Sequence, residues 1–174
     1  MTVNCPACTE EIKITNSFTD WSGTEFLICE HCTSYFQVDK ITTNYTKTDW
    51  TSVKDPDGRI RDMTTERDFK LKNWYGDTIE YILNLRSGKI LDIGAGLGFF
   101  LSSISNEWEK FALEPSDFGK KFIKNNYKEI KILSSSINDI KNKDNYFDVI
   151  MFYHVIEHLE DPSTALQSIY KLLK

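Results

Sequence analysis

No stretch of the 174 residues approaches the roughly 18–20 consecutive apolar positions that cross a bilayer, which excludes a transmembrane helix. The opening Met1-Thr2-Val3-Asn4-Cys5 has no basic residues ahead of an apolar run, so no secretory signal is expected. Both absences predict a cytoplasmic protein. No cysteine follows residue 32, and four cysteines confined to one end of such a chain favour a metal over disulfides. Positive charge is scarce: the net charge is −5, and the first 40 residues set only Lys13 and Lys40 against Glu10, Glu11, Asp20, Glu25, Glu30 and Asp39. Proteins that hold phosphate backbones usually show the opposite sign, which biases against nucleic acid. No internal repeat and no low-complexity tract stands out. Apolar residues make up 40% of the chain, with 11 Phe, 8 Tyr and 4 Trp, enough for a buried core and against disorder. The length suits one domain with a small appendage.

What is present begins with Cys5-Pro6-Ala7-Cys8 and Cys29-Glu30-His31-Cys32. Two residues between thiols let both sulfurs of a turn face one tetrahedral ion, and two such turns complete four ligands. Cys5, Cys8, Cys29 and Cys32 are therefore expected to hold a structural zinc, with no open position for a catalytic water. The alternative is four free or redox-active thiols. His31, between two ligands, is expected to face solvent. Residues 1–40 read as a β-rich zinc ribbon, with short strand-like runs at Glu25-Phe26-Leu27-Ile28 and Tyr35-Phe36-Gln37-Val38.

Residues 41–63, rich in Thr, Asp and Lys and carrying the turn signal Asp55-Pro56-Asp57-Gly58, read as a linker or lid. From residue 64 the pattern alternates between helix and strand. A helix is predicted over about 65–85. Strands follow at Lys89–Ile93, Lys110–Glu114, Ile130–Leu133 and Phe147–Tyr153, with helices from Phe99, over about 117–125, and from about Asp161 to the chain end. This order predicts an α/β fold with a Rossmann-like, doubly wound parallel sheet over residues 64–174.

Asp92-Ile93-Gly94-Ala95-Gly96-Leu97-Gly98-Phe99 is the most informative stretch. Its glycines permit a tight turn at the carboxyl end of a strand, where a ligand meets backbone amides. A dinucleotide loop wants glycine or alanine where Phe99 stands, which disfavours NAD(P). Glu114, closing the second strand, is placed to accept both hydroxyls of a ribose.

With these motifs in place, residues from about 89 onward resemble the class I S-adenosylmethionine-dependent methyltransferases, especially the subgroup acting on quinones and sugars. The resemblance implies that Asp92, Gly94, Ala95, Gly96 and Gly98 bind the methionine end, and that Glu114 takes the ribose. It places Ser136 and Ile137 at the adenine, Ser136 standing where the family usually has an acid. Tyr153, ending the fourth strand, joins the cofactor-binding set. A cysteine ribbon ahead of such a domain occurs in some sugar and ribosomal RNA methyltransferases. The expected reaction is methyl transfer to a small-molecule acceptor. A zinc-ribbon RNA methyltransferase and a non-catalytic S-adenosylmethionine-binding module are the alternatives.

His154-Val155-Ile156-Glu157-His158 matches H-x-x-E-H, an inverted metalloprotease signature. That signature needs a helix presenting both histidines and a later third ligand, neither of which this stretch suggests. In a methyltransferase His154, Glu157 and His158 would border the transfer pocket, His158 being the best placed general base. The other reading has them bracing the loop. Tyr45, Trp50, Trp74 and Tyr75 are either a lid over the cofactor or core. Strands five to seven of the family are expected to be missing, which would leave the fourth strand an open, self-associating edge in a truncated, weakly active or inactive chain.

Overall fold

Period-two alternation along two apolar runs decides the central architecture. On β8 (Lys89–Ile93), Ile90 enters one buried cluster while Leu91 and Ile93 enter another. On β9 (Glu109–Leu113), Ala112 joins the first and Phe111 and Leu113 the second. Side chains of a strand point alternately to opposite faces, so these strands are covered on both. The structure, a computed structural model, describes residues 2–21, 23–37, 46, 48–55, 57–159 and 161–174. Tyr45, one of the four lid candidates, lies outside them, as does Val38 of the second ribbon run.

The described residues fall into two units, one built from the N-terminal 42 residues with Ile156–Gln167, the other from Thr43–Val155 with Ser168–Lys174. The first unit carries β1 (Thr2–Asn4) paired antiparallel with β2 (Glu11–Lys13). It also carries a three-stranded antiparallel sheet of β3 (Ser17–Thr19), β4 (Glu25–Ile28) and β5 (Tyr35–Phe36). Among the described residues its buried cluster is Cys5, Ile12, Leu27 and Cys29, fringed by Val3, Cys8, Cys32 and Phe36. So small a core rarely holds a fold by itself.

The second unit opens with α1 (Thr48–Thr51) and a hairpin of β6 (Val53–Lys54) and β7 (Ile60–Arg61). At the tip of this hairpin Gly58 takes a left-handed φ of 85°, and its amide donates to the Asp55 carbonyl. The described residues of the segment read as a linker or lid thus include a short helix and a hairpin. Arg61 pairs with Asp55 (2.7 Å) and with Glu66 (2.9 Å). The single helix expected over 65–85 is two, α2 (Arg67–Asn73) and α3 (Gly76–Leu83), broken at Trp74-Tyr75.

The main sheet then follows. Helix α4 (Phe99–Ser103) connects β8 to β9, and α5 (Asp117–Asn126) connects β9 to β10 (Ile130–Ser134). Strand β11 (Val149–Phe152) returns to the other side of β8. All pairs are parallel, in the order β10-β9-β8-β11, the reversal beside β8 marking the switch point where α/β sheets bind ligands. Helix α6 (Pro162–Leu172) ends with Ile169 and Leu172 against the cluster of Leu91, Phe111 and Phe147. Leu173 then bridges Phe147 in parallel. Among the described residues no helix is long and apolar enough to cross a membrane.

Candidate functional site

The loop after β8 takes its shape from three glycines in the left-handed region, Gly94 (φ 74°), Gly96 (φ 56°) and Gly98 (φ 75°), a conformation costly to residues with a Cβ. Its amides are held by the next strand. Gly94 and Ala95 both donate to the Leu113 carbonyl (2.8 and 3.0 Å), and Gly98 donates to Ala95 (2.8 Å). The Gly96 amide donates to Glu114 Oε2 (2.6 Å), while Ser116 donates from its amide to Oε1 (2.7 Å). Glu114 therefore pins the glycine loop to the entry of α5. Each carboxylate oxygen keeps a second lone pair, so two hydroxyl donors remain within its capacity.

Asp92, on β8 between Ala112 and Met151, is only 4% exposed, and its carboxylate makes no hydrogen bond among the described residues. Burial, reinforced by the Glu114 charge, pushes its carboxyl well above the ordinary range. Glu114, 2% exposed, is pushed up to about 7 by burial, against the pull of the Ser116 and Gly96 amides. Two desolvated carboxyls on adjacent strand ends favour a ligand that brings positive charge and hydroxyl donors.

The expected cofactor residues are thus partly brought together. Asp92, Gly94, Ala95, Gly96, Gly98 and Glu114 meet at the carboxyl ends of β8 and β9. Ser136 and Ile137 follow β10; Ser136 caps the 3-10 turn Ile137–Asp139 by accepting from the Asn138 amide, and Ile137 packs beside the second sheet cluster. Tyr153, just past β11 and 40% exposed, packs on Trp74, Tyr75 and His154, with ring centroids 6.1, 5.3 and 4.5 Å apart. His154 adopts φ 53° and faces Trp74 at 6.0 Å. Glu157 and His158 lie exposed in the 3-10 turn Ile156–His158, which falls in the first unit.

Two features escaped the sequence reading. Gly119, in the first turn of α5, has no room for a side chain: a Cβ would lie 2.7 Å from the Gly96 carbonyl oxygen and 2.9 Å from Glu114 Cγ. The signal was a glycine three residues after the capping Ser116, whose hydroxyl accepts the Gly119 amide at 3.2 Å. The second is a repeat. Cys5-x-x-Cys8-Thr9 and Cys29-x-x-Cys32-Thr33 fold identically: Thr9 and Thr33 both have left-handed φ (64° and 61°), and their amides donate to the Cys5 and Cys29 carbonyls. Their hydroxyls donate to the Cys8 and Cys32 carbonyls.

Those two turns gather all four sulfurs within 4.8 Å of one another, with Cys5–Cys32 and Cys8–Cys29 both 3.6 Å apart. That is far beyond a disulfide, and close to the roughly 3.8 Å edge of a tetrahedron with Zn–S near 2.3 Å. Among the described residues it is the one cluster of His, Cys, Asp and Glu with ligand atoms close enough for a metal.

Part of the chain, the sheet from β8 onward, matches a known family model. Residues 91–174 match the methyltransferase domain family. A Methanococcus maripaludis protein described as an S-adenosyl-L-methionine-dependent methyltransferase is 25% identical, with a TM-score of 0.52, over 64% of this chain and 58% of its own. The plantazolicin methyltransferase BpumL, solved with a monoazolic desmethylPZN analogue and S-adenosylhomocysteine, is 19% identical with a TM-score of 0.53 over 64% of this chain and 45% of its own. A Pyrococcus horikoshii protein shares the fold at 18% identity and a TM-score of 0.54, covering 63% and 54%. No curated protein matches the sequence. The matched segment begins at Leu91, the third residue of β8, and contains the glycine loop and Glu114. The chain spans about half the length of these neighbours, from 45% to 58%.

Proposed function

We propose that this chain transfers a methyl group from S-adenosylmethionine to a small-molecule acceptor, a sugar, a quinone or a similar metabolite. The observation that carries the reading is the buried pair of Asp92 and Glu114 at the end of a glycine loop. Among the described residues the Asp92 carboxylate accepts no hydrogen bond, and that of Glu114 retains two acceptor sites. S-adenosylmethionine brings an ammonium and a sulfonium for the first and vicinal ribose hydroxyls for the second, and it supplies an already activated methyl group. Asp92 and the loop of Gly94, Ala95, Gly96 and Gly98 would hold the methionine end. Glu114 would hold the ribose and Ser136 and Ile137 the adenine edge, with Tyr153 completing the cofactor-binding set.

Since the methyl is activated, the protein's work is to align an acceptor atom and, for some acceptors, to take its proton. His158 is assigned as that base, with His154 and Glu157 bordering the pocket. His158→Ala should lower turnover with the true acceptor at least tenfold, and unchanged turnover removes the assignment. We assign residues 1–40 as a zinc ribbon on Cys5, Cys8, Cys29 and Cys32, 41–63 as a linker or lid, and 64–174 as the methyltransferase domain. The acidic ribbon supports a metabolite over RNA as acceptor.

Calorimetric titration with S-adenosylhomocysteine, with NADH as control, tests the reading. Submicromolar to micromolar binding of the first, absence of the second and a large loss in Glu114→Ala are expected. A chain that binds neither ligand, or NADH alone, is not a methyltransferase of this kind.

A further inference from the structure

Ahead of the segment that matches the family lies α1, and its Trp50 reaches the cofactor loop. The indole Nε1 donates to Ser116 Oγ at 3.1 Å. The far edge of the ring comes so close to Gly96 that a Cβ there would sit 3.1 Å from Cη2 and 3.5 Å from Cζ3. Each of these partners already belongs to the loop's own bonding. Ser116 Oγ accepts the Gly119 amide, its backbone amide holds Glu114 Oε1, and Glu114 Oε2 holds the Gly96 amide. Trp50, Ser116, Glu114 and Gly96 thus form a closed ring of contacts, three links being hydrogen bonds and the fourth the face of a glycine.

The segment that presents Trp50 is itself tied down. Thr46 donates to Asp49 at the start of α1 from its hydroxyl (2.7 Å). The β6–β7 hairpin follows at once, clamped by Arg61 to Asp55 and Glu66. An indole held on a short fixed element, half-buried, with its donor and its edge both on ligand-loop groups, differs from an aromatic filling the general core. It is not among the residues of either sheet cluster.

We propose that Trp50 is a positioning residue of the cofactor site: it backs the glycine loop at Gly96 and, through Ser116, fixes the carboxylate that takes the ribose, closing that side of the site. The inference rests on the methyl-transfer reading above. It implies that the cofactor site extends outside the family segment, to a wall supplied by α1.

The test is S-adenosylhomocysteine affinity and the accompanying change in tryptophan emission, for the whole chain and for Trp50→Phe, Trp50→Ala, Ser116→Ala and the double variant Trp50→Phe/Ser116→Ala. Trp50→Phe keeps the ring and loses the donor, so affinity should fall roughly three- to tenfold; Trp50→Ala should cost roughly tenfold or more. Because Trp50→Phe and Ser116→Ala break the same bond, the double variant should bind no worse than the weaker single, which two independent structural defects would not reproduce. The emission change on ligand addition should largely vanish in Trp50→Phe, and this variant decides the matter if Trp50→Ala does not fold. Wild-type affinity in Trp50→Phe with an unaltered emission change overturns the proposal while leaving methyl transfer intact, as does tighter binding by Trp50→Ala. A wild-type chain that binds no S-adenosylhomocysteine takes down both.

Discussion

Replacing a helical glycine by alanine normally stabilises a protein by up to about 1 kcal/mol, because alanine loses less backbone freedom on folding. Gly119→Ala should do the opposite. The added methyl would meet the Gly96 carbonyl oxygen at 2.7 Å and Glu114 Cγ and Cδ at 2.9 and 3.1 Å. The oxygen is backbone in a loop held by four hydrogen bonds, and the carboxylate is anchored at both ends, so neither yields freely. Overpacking of this kind costs about 1–3 kcal/mol. If Glu114 is pushed off its two buried amides, each orphaned N–H adds roughly 1–3 kcal/mol. Set against the propensity gain, the net loss should be about 1–3 kcal/mol, a fall in Tm of roughly 3–10 °C. Affinity for S-adenosylhomocysteine should drop at least tenfold, since the methyl strikes the carboxylate assigned to the ribose. Gly76→Ala at the start of α3 is the control: its Cβ would meet only the Leu71 carbonyl oxygen, at an ordinary 3.6 Å, so it should be neutral or stabilising. Thermal melts and calorimetry on the two variants give the answer. A Gly119→Ala protein that melts at or above wild type and binds the ligand normally would refute the packing argument.

Protonation and metal give two further expectations. The Glu114 carboxyl is raised by burial from 4.5 to about 7, so the folded state binds its proton more tightly than the unfolded one. Its contribution to stability is therefore greatest near and below pH 4.5 and declines as pH rises through 7, by up to about 3 kcal/mol. Urea melts of wild type and Glu114→Gln between pH 5 and 8 should diverge accordingly, and parallel curves would contradict this; ligand affinity, which needs the ionised carboxylate, should run the other way and rise with pH. In the ribbon, Cys29 is fully buried beside its three partner thiols. Cys29→Ser should lose the equivalent of zinc found by elemental analysis of the purified protein and open residues 2–37 to limited proteolysis; full zinc content with unchanged protease resistance would end the four-thiolate assignment.

The strands and glycine loop were legible because their signals are local. Apolar runs bounded by Gly88 and Gly94 place β8 to the residue, and left-handed glycines announce the turn. Glu114 was legible as an acid at a strand end, but not that it would grip the loop amides, since that depends on how β9 lies beside β8. The run 65–85 read as one helix because its apolar stripe continues across Trp74-Tyr75. There the rings instead pack on Tyr153 and His154, and Gly76 with Asp77 starts a new helix. The hairpin 53–61 was hidden by strands of two residues each, too short for any periodicity to register. The threonine after each cysteine pair was visible in the sequence, but its left-handed backbone was not, because a β-branched residue is a poor candidate for that conformation.

The glycine loop does not own its shape. Gly94, Ala95 and Gly96 give their amides to Leu113 and Glu114, and Gly119 leaves space for the Gly96 carbonyl. The loop cannot therefore be moved as a portable cassette. A chimera that grafts residues 91–100 alone into a foreign Rossmann-like sheet would carry the letters of the motif without the mould that sets them. The transferable unit is the pair of strands with the first turn of α5, and drift at 113–119 should be answered by compensating change in the loop.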